Sequence, residues 1–97
     1  MVVGILQVEL AIDAPESLKD KRRVLLSLKD RLHREHMVSV AEVDLQDDMH
    51  RAMLGIALAA SDVAHCQSVL DHVLDKIKKH HGCSVSDQNS QVLSGQI

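Results

Sequence analysis

No Phe, Tyr or Trp occurs among the 97 residues. A surface that reads single-stranded bases by stacking needs aromatic faces, and so does a cage for a quaternary ammonium, so both are excluded. The core has to be built from Leu, Val, Ile, Ala and Met. The two cysteines, Cys66 and Cys83, fall on different predicted elements and make no Cys-x-x-Cys pair. Neither a zinc site nor a disulfide framework follows from them, and two free thiols in a reduced cytoplasmic protein is the simpler reading. No apolar run approaches membrane-spanning length, and no basic segment leads into an apolar one near Met1, so no membrane partner is expected. Glycine-rich phosphate loops and activated nucleophiles are also missing. The reading is therefore a non-enzyme with no cofactor, no metal and no small-molecule substrate. A chain of this length makes one domain, ordered over about 1–93 with a frayed tail at 94–97.

What is present is a strong charge asymmetry. Ser17 to Arg34 reads SLKDKRRVLLSLKDRLHR, with seven Lys or Arg and two Asp, a surplus of +5 in a chain of net charge −3, so the remainder carries −8. A molecule that repels polyanions as a whole thus offers them one attractive surface.

Hydrophobic periodicity supplies the elements. Val2 to Ala11 alternates, with Leu6, Val8 and Leu10 on one side and Gln7 and Glu9 on the other, as in a half-buried strand; Val3 and Ile5 add apolar groups to the wetter face. Ser17 suits a helix N-cap, with Asp20 in the reciprocal position of a capping box, and Leu18, Leu25, Leu28 and Leu32 form one apolar stripe of a helix over about 18–35. Met37 to Leu45 is a second strand. Its apolar residues change sides near Val40 and Ala41, through a bulge there or because both faces are apolar. A polar connection, Gln46 to His50, leads to a third strand, Arg51 to Ala60, and the pair makes a hairpin. Ser61 or Asp62 caps a second helix with Val63, Cys66, Leu70, Val73, Leu74 and Ile77 inward, ended by Gly82. Cys83 to Leu93 is a polar last strand, hence an edge. The order β-α-β-β-α-β is the split βαβ pattern of an α+β, ferredoxin-like fold: a four-stranded antiparallel sheet with two helices on one face. The bare face, with Val3 and Ile5, is the expected oligomer interface, a symmetric dimer being favoured.

Candidate sites follow from the same pattern. Lys19, Arg23 and Arg34 share the outward side of the first helix, with Arg22 and Lys29 at its margin. Cations so arranged contact phosphates in a salt-dependent, sequence-tolerant way; the plainer alternative is a solvated face paired with Asp20 and Asp30. Lys21 projects near the apolar stripe, either snorkelling along the sheet edge or reaching Glu9 or Asp13. Asp44, Gln46, Asp47, Asp48, His50 and Arg51 gather around the hairpin, where a turn role outweighs a cation site or an acid–base pair. Glu42 with Asp44, on one side of a strand, is placed to pair with Arg51 across the hairpin or with a neighbouring subunit. The seven histidines lack ligand spacing: His65 and His72 lie about 10 Å apart along a helix.

The segments SLKDKRRVLLSLKDRL, SVAEVD and QDDMHRAMLGIALAASD, in this order and spacing, resemble the YlxP-like family of small bacterial proteins of unknown function, over roughly residues 1–80. The resemblance implies the same ferredoxin-like fold. Family genes often lie beside genes for translation initiation and ribosome maturation, which implies a role near ribosomal RNA. The leading expectation is a protein that binds ribosomal RNA or a ribosomal particle through Lys19, Arg22, Arg23, Lys29 and Arg34. The alternative is a homo-oligomeric protein-interaction module with no nucleic-acid role.

Overall fold

A computed structural model describes residues 1–96. Six elements follow one another: β1 (Val2–Ile12), α1 (Leu18–His36), β2 (Ser39–Asp44), β3 (Arg51–Ala60), α2 (Val63–Lys78) and β4 (Cys83–Ser94). The strands form one antiparallel sheet in the order β2-β3-β1-β4. This is the ferredoxin-like, split βαβ arrangement. Alternation along β1 sends Leu6, Val8 and Leu10 beneath the helices, where they meet Leu54 and Ile56 of β3, Leu25, Leu28 and Leu32 of α1, and Leu70, Val73 and Ile77 of α2. The aliphatic core closes without a ring system. Gly4 lets α2 come down onto β1, since a Cβ there would lie 2.5 Å from Cys66 Sγ. Cys66 fills that space as a small hydrophobe.

Local chemistry sets the ends of the helices. Ser17 Oγ accepts from Asp20 N at 3.3 Å, and Asp20 Oδ2 accepts from Glu16 N at 2.9 Å, a capping box displaced by one residue. At the far end, Met37 takes a left-handed conformation (φ 54°), and its N–H closes on the His33 carbonyl. For α2 the cap is Asp62, whose Oδ1 accepts from His65 N at 2.7 Å.

Of the two alternatives for the second strand, the structure shows the one apolar on both faces: alternation continues through Val40 and Ala41 to Glu42, and the bulge comes later, at Val43, between the pairs Glu42–Leu54 and Asp44–Met53. Other expectations are corrected. The first residue of α2, Val63, is 49% exposed rather than inward. This helix ends at Lys78 with Lys79 as its cap, and Gly82 (φ 99°) instead shapes the turn into β4. Ser94 and Gly95 do not fray: β4 runs to Ser94, and Gly95 exchanges two backbone hydrogen bonds with Met1. Ile97 lies outside the described residues.

Candidate nucleic-acid interface

Helix α1 sorts its cations by rotation around the axis. Lys19, Arg22, Arg23 and Arg34 are exposed and Lys29 is half-buried, whereas Lys21 is 1% exposed. Two of the basic residues are neutralised within the helix, Arg34 by Asp30 at 2.9 Å and Arg31 by Glu35 at 3.4 Å. Glu35 also meets Lys76 of α2 at 3.0 Å, and this contact is the main reason its carboxyl is held below the usual range. Lys19, Arg22, Arg23 and Lys29 pair with no carboxylate within 4 Å among the described residues. The plain reading of a self-neutralised face therefore holds for Arg31 and Arg34 and fails for Lys19, Arg22, Arg23 and Lys29. From Lys19 to Lys29 the unpaired cations span roughly 15 Å along the axis. Arg22 and Lys29 flank the 63% exposed Leu26 and, with Leu25 and Glu42, line a small groove of about 140 Å³ between α1 and β2.

Lys21 does not reach Glu9 or Asp13. Its Nζ donates to the carbonyl of Asp48 at 2.6 Å and of Leu45 at 2.7 Å, with Gln46 O at 3.4 Å. It also lies 2.9 Å from Glu42 Oε2, an ionic contact rather than an aligned hydrogen bond. A point-like ammonium with three rotatable donors suits this ring of oxygens better than the planar fork of arginine would. The clamp ties the first turns of α1 to the β2–β3 connection and thereby fixes how the neighbouring Arg22 and Arg23 leave the surface. Sequence reasoning noticed that Lys21 was out of place but gave Glu42 the wrong partner: Arg51 pairs with Asp48 and Glu9 instead. The signal was there: Lys21 and Glu42 are both charged residues in the inward phase of their elements.

The hairpin acids act as turn ligands. Asp48 Oδ1 accepts from His50 N at 2.8 Å and Arg51 N at 3.0 Å, and Oδ2 accepts from Arg51 Nε at 3.1 Å. The His50 amide contributes most to holding the Asp48 carboxyl below the usual range. Asp44 Oδ1 accepts from Leu45 N, which lets Leu45 adopt φ 61°. Asp44, Asp47 and His50 point to solvent and are not gathered into a site. Among the described residues, no three His, Cys, Asp or Glu side chains are placed to hold a metal ion. Burial pushes the Cys83 thiol up, away from the thiolate that nucleophilic chemistry needs. No helix of the described residues is long and apolar enough to cross a membrane.

Comparison with known proteins settles the family. Residues 3–90 match the sequence profile described as "Protein of unknown function (DUF503)". The chain belongs to the DUF503 family. It is 33% identical over 73 residues to the "Uncharacterized protein YlxP" of Bacillus subtilis strain 168, covering 75% of this chain and 79% of that protein. Two solved structures share the fold at low identity. Protein YJCS superposes with a TM-score of 0.57 at 13% identity, covering 92% of this chain and 96% of its own. Protein Atu4242 from Agrobacterium tumefaciens gives 0.54 at 8% identity, with 99% and 94% covered. The DUF503 profile continues past residue 80 into β4, so the polar last strand belongs to the family pattern as well.

Proposed function

We propose that this DUF503 protein binds structured RNA, ribosomal RNA being the favoured class, through phosphates laid along α1 from Lys19 to Lys29. One observation carries the reading. Lys19, Arg22, Arg23 and Lys29 are unpaired on a single helix, in a chain whose residues outside Ser17–Arg34 sum to −8. Nothing in the fold requires those charges, and exposed cations without partners are what phosphate contact needs. Recognition is by shape and charge, because the chain has no aromatic side chain to stack on a base.

The test is binding to a ribosomal RNA helix across a salt series. Each phosphate contact adds a slope of about −0.9 to log K against log salt, so three to four contacts give about −3. Lys19→Glu/Arg23→Glu should abolish binding. Arg23→Glu/Arg34→Glu should weaken it less, since Arg34 is already paired with Asp30. No binding at 50 mM salt, or an unchanged slope in the first variant, would sink the proposal. A second reading, action through protein contacts alone, is favoured by the apolar trough on the open sheet face.

A further inference from the structure

The face of the sheet opposite the helices has two characters. On β2, β3 and β1 it is made of small and aliphatic groups: Ala41, Val43, Gly55, Ala57 and Ile5 surround a shallow trough of about 400 Å³. Toward β4 it turns polar, with Gln7, Asn89 and Gln91 forming the margin. Gly55 is the floor of the trough: a Cβ there would lie 2.8 Å from Val43 Cγ1, so the position accepts no side chain while Val43 keeps its place. Ile5 is the adjacent prominence, 38% exposed. The register places Ile5 opposite Ala57 and Gly55 opposite Gln7, so the prominence and the hollow are diagonal neighbours on adjacent strands.

We propose that this face is the interface of a symmetric homodimer, with Ile5 of each copy seated in the other's trough between Val43 and Ala57. A two-fold contact requires a surface that complements itself, and a prominence beside a shallow trough, on one face, provides that. A nucleic acid fits worse: Glu9, Asp44 and Asp87 at the hairpin end of the face, with one cation, Arg51, held by Asp48 and Glu9, repel phosphates, whereas the trough and its Gln7, Asn89 and Gln91 margin carry no charge that would repel a second copy. The area is adequate: four strands about 4.8 Å apart and ten residues at about 3.3 Å give a flat footprint of roughly 600 Å². Its corrugated surface is larger and approaches the roughly 800 Å² per partner of a standard interface. An apolar centre with a polar margin is also how such interfaces are arranged. Packed back to back, the two sheets leave both α1 helices outward, so the dimer displays two cationic stripes on opposite sides.

The dimer stands apart from the RNA reading, and its test reads mass rather than RNA. Light scattering at tens of micromolar should give twice the chain mass of 10.7 kDa for the wild type. Ile5→Asp and, separately, Ala57→Glu should return it to the chain mass, raising the dissociation constant by at least about 30-fold, as loss of a central contact does. Both side chains are exposed, and a far-ultraviolet circular dichroism spectrum like the wild type's with a cooperative melt verifies that the variant monomer folds, the melt itself lying lower because the stabilisation by association is lost. Arg23→Glu should leave the dimer intact. A wild type at chain mass, or a dimer indifferent to both substitutions, overturns the proposal.

Discussion

Lys21, Arg22 and Arg23 are consecutive, equally charged at neutral pH, and opposite in what they do. One turn of α1 delivers Lys21 to four oxygens in a closed corner and sends Arg22 and Arg23 into solvent with no carboxylate partner. The difference is one of angle: successive residues are rotated by about 100°, so a run of cations cannot share one environment. A helical charge is thus structural where the fold supplies acceptors and available to ligands where it does not. The sharpest way to break this contrast is Lys21→Met. It leaves the Glu42 carboxylate and three hairpin carbonyls without their cation, and stability should fall by about 3–5 kcal/mol, the cost of removing half of a buried pair. Lys21→Met/Glu42→Gln should recover part of that loss, because the stranded charge is then gone. Urea unfolding measures both, and a single variant within about 0.5 kcal/mol of wild type would show that the corner needs no cation.

The exposed side of the comparison should respond the other way round. Lys19→Gln/Arg23→Gln touches no partner, so stability should change by less than about 0.5 kcal/mol, as for ordinary surface substitutions. The same variant should lower the salt slope of RNA binding by about two, one for each phosphate contact removed. Equal losses of stability and binding would mean that the outer cations are also part of the frame. A finer contrast separates Arg22 from Arg34. Arg34 sits in an exposed i,i+4 pair with Asp30, worth about 0.3–0.5 kcal/mol. Arg34→Gln should therefore cost that small stability and little affinity, whereas Arg22→Gln should cost affinity and no stability.

The elements were legible because β1, β3 and the two helices each bury one face under a single period. Arg51–Ala60 reads as a strand from its strongly apolar run, and Leu25, Leu28 and Leu32 read as a stripe. What escaped were features decided by two elements at once. The apolar residues of β2 change sides near Val40 and Ala41, which left a bulge and a strand apolar on both faces as alternatives; Glu42, on the inward phase, is the partner of Lys21, across α1 and the hairpin. Pairing a charged residue on one inward stripe with the charged residue on another would have found it. Val63 was misplaced for a simpler reason: helical period assigns a face, but it does not say whether a first-turn position has anything to pack against, and Val63 is 49% exposed. For the site, the five cations were legible as a group; which of them are already neutralised depended on which i,i+4 carboxylate each one meets.

The smallest effect lies at the seam of α1 and α2, and it separates structural from available charge by pH. Burial is the main reason the His80 ring resists protonation, and the nearby charges of Arg31 and His81 add to it, so its pKa lies below the ordinary 6.5. The unfolded chain takes up this proton as pH falls through 6.5, while the folded chain waits for a lower pH. In that window the unfolded state binds more protons, so stability rises with pH there. The His80 contribution is full above pH 6.5 and is lost as pH falls toward the folded value. Asp48 and Glu35 act in the same direction but only in stronger acid, since their depressed carboxyls give stability that is lost below the ordinary carboxylate range. Urea midpoints at pH 7.5 and 5.5 should therefore differ in the wild type and draw together in His80→Gln. Equal drops in the two proteins would locate the acid sensitivity elsewhere, and the α1–α2 seam would then hold its charges as loosely as the outer face of α1.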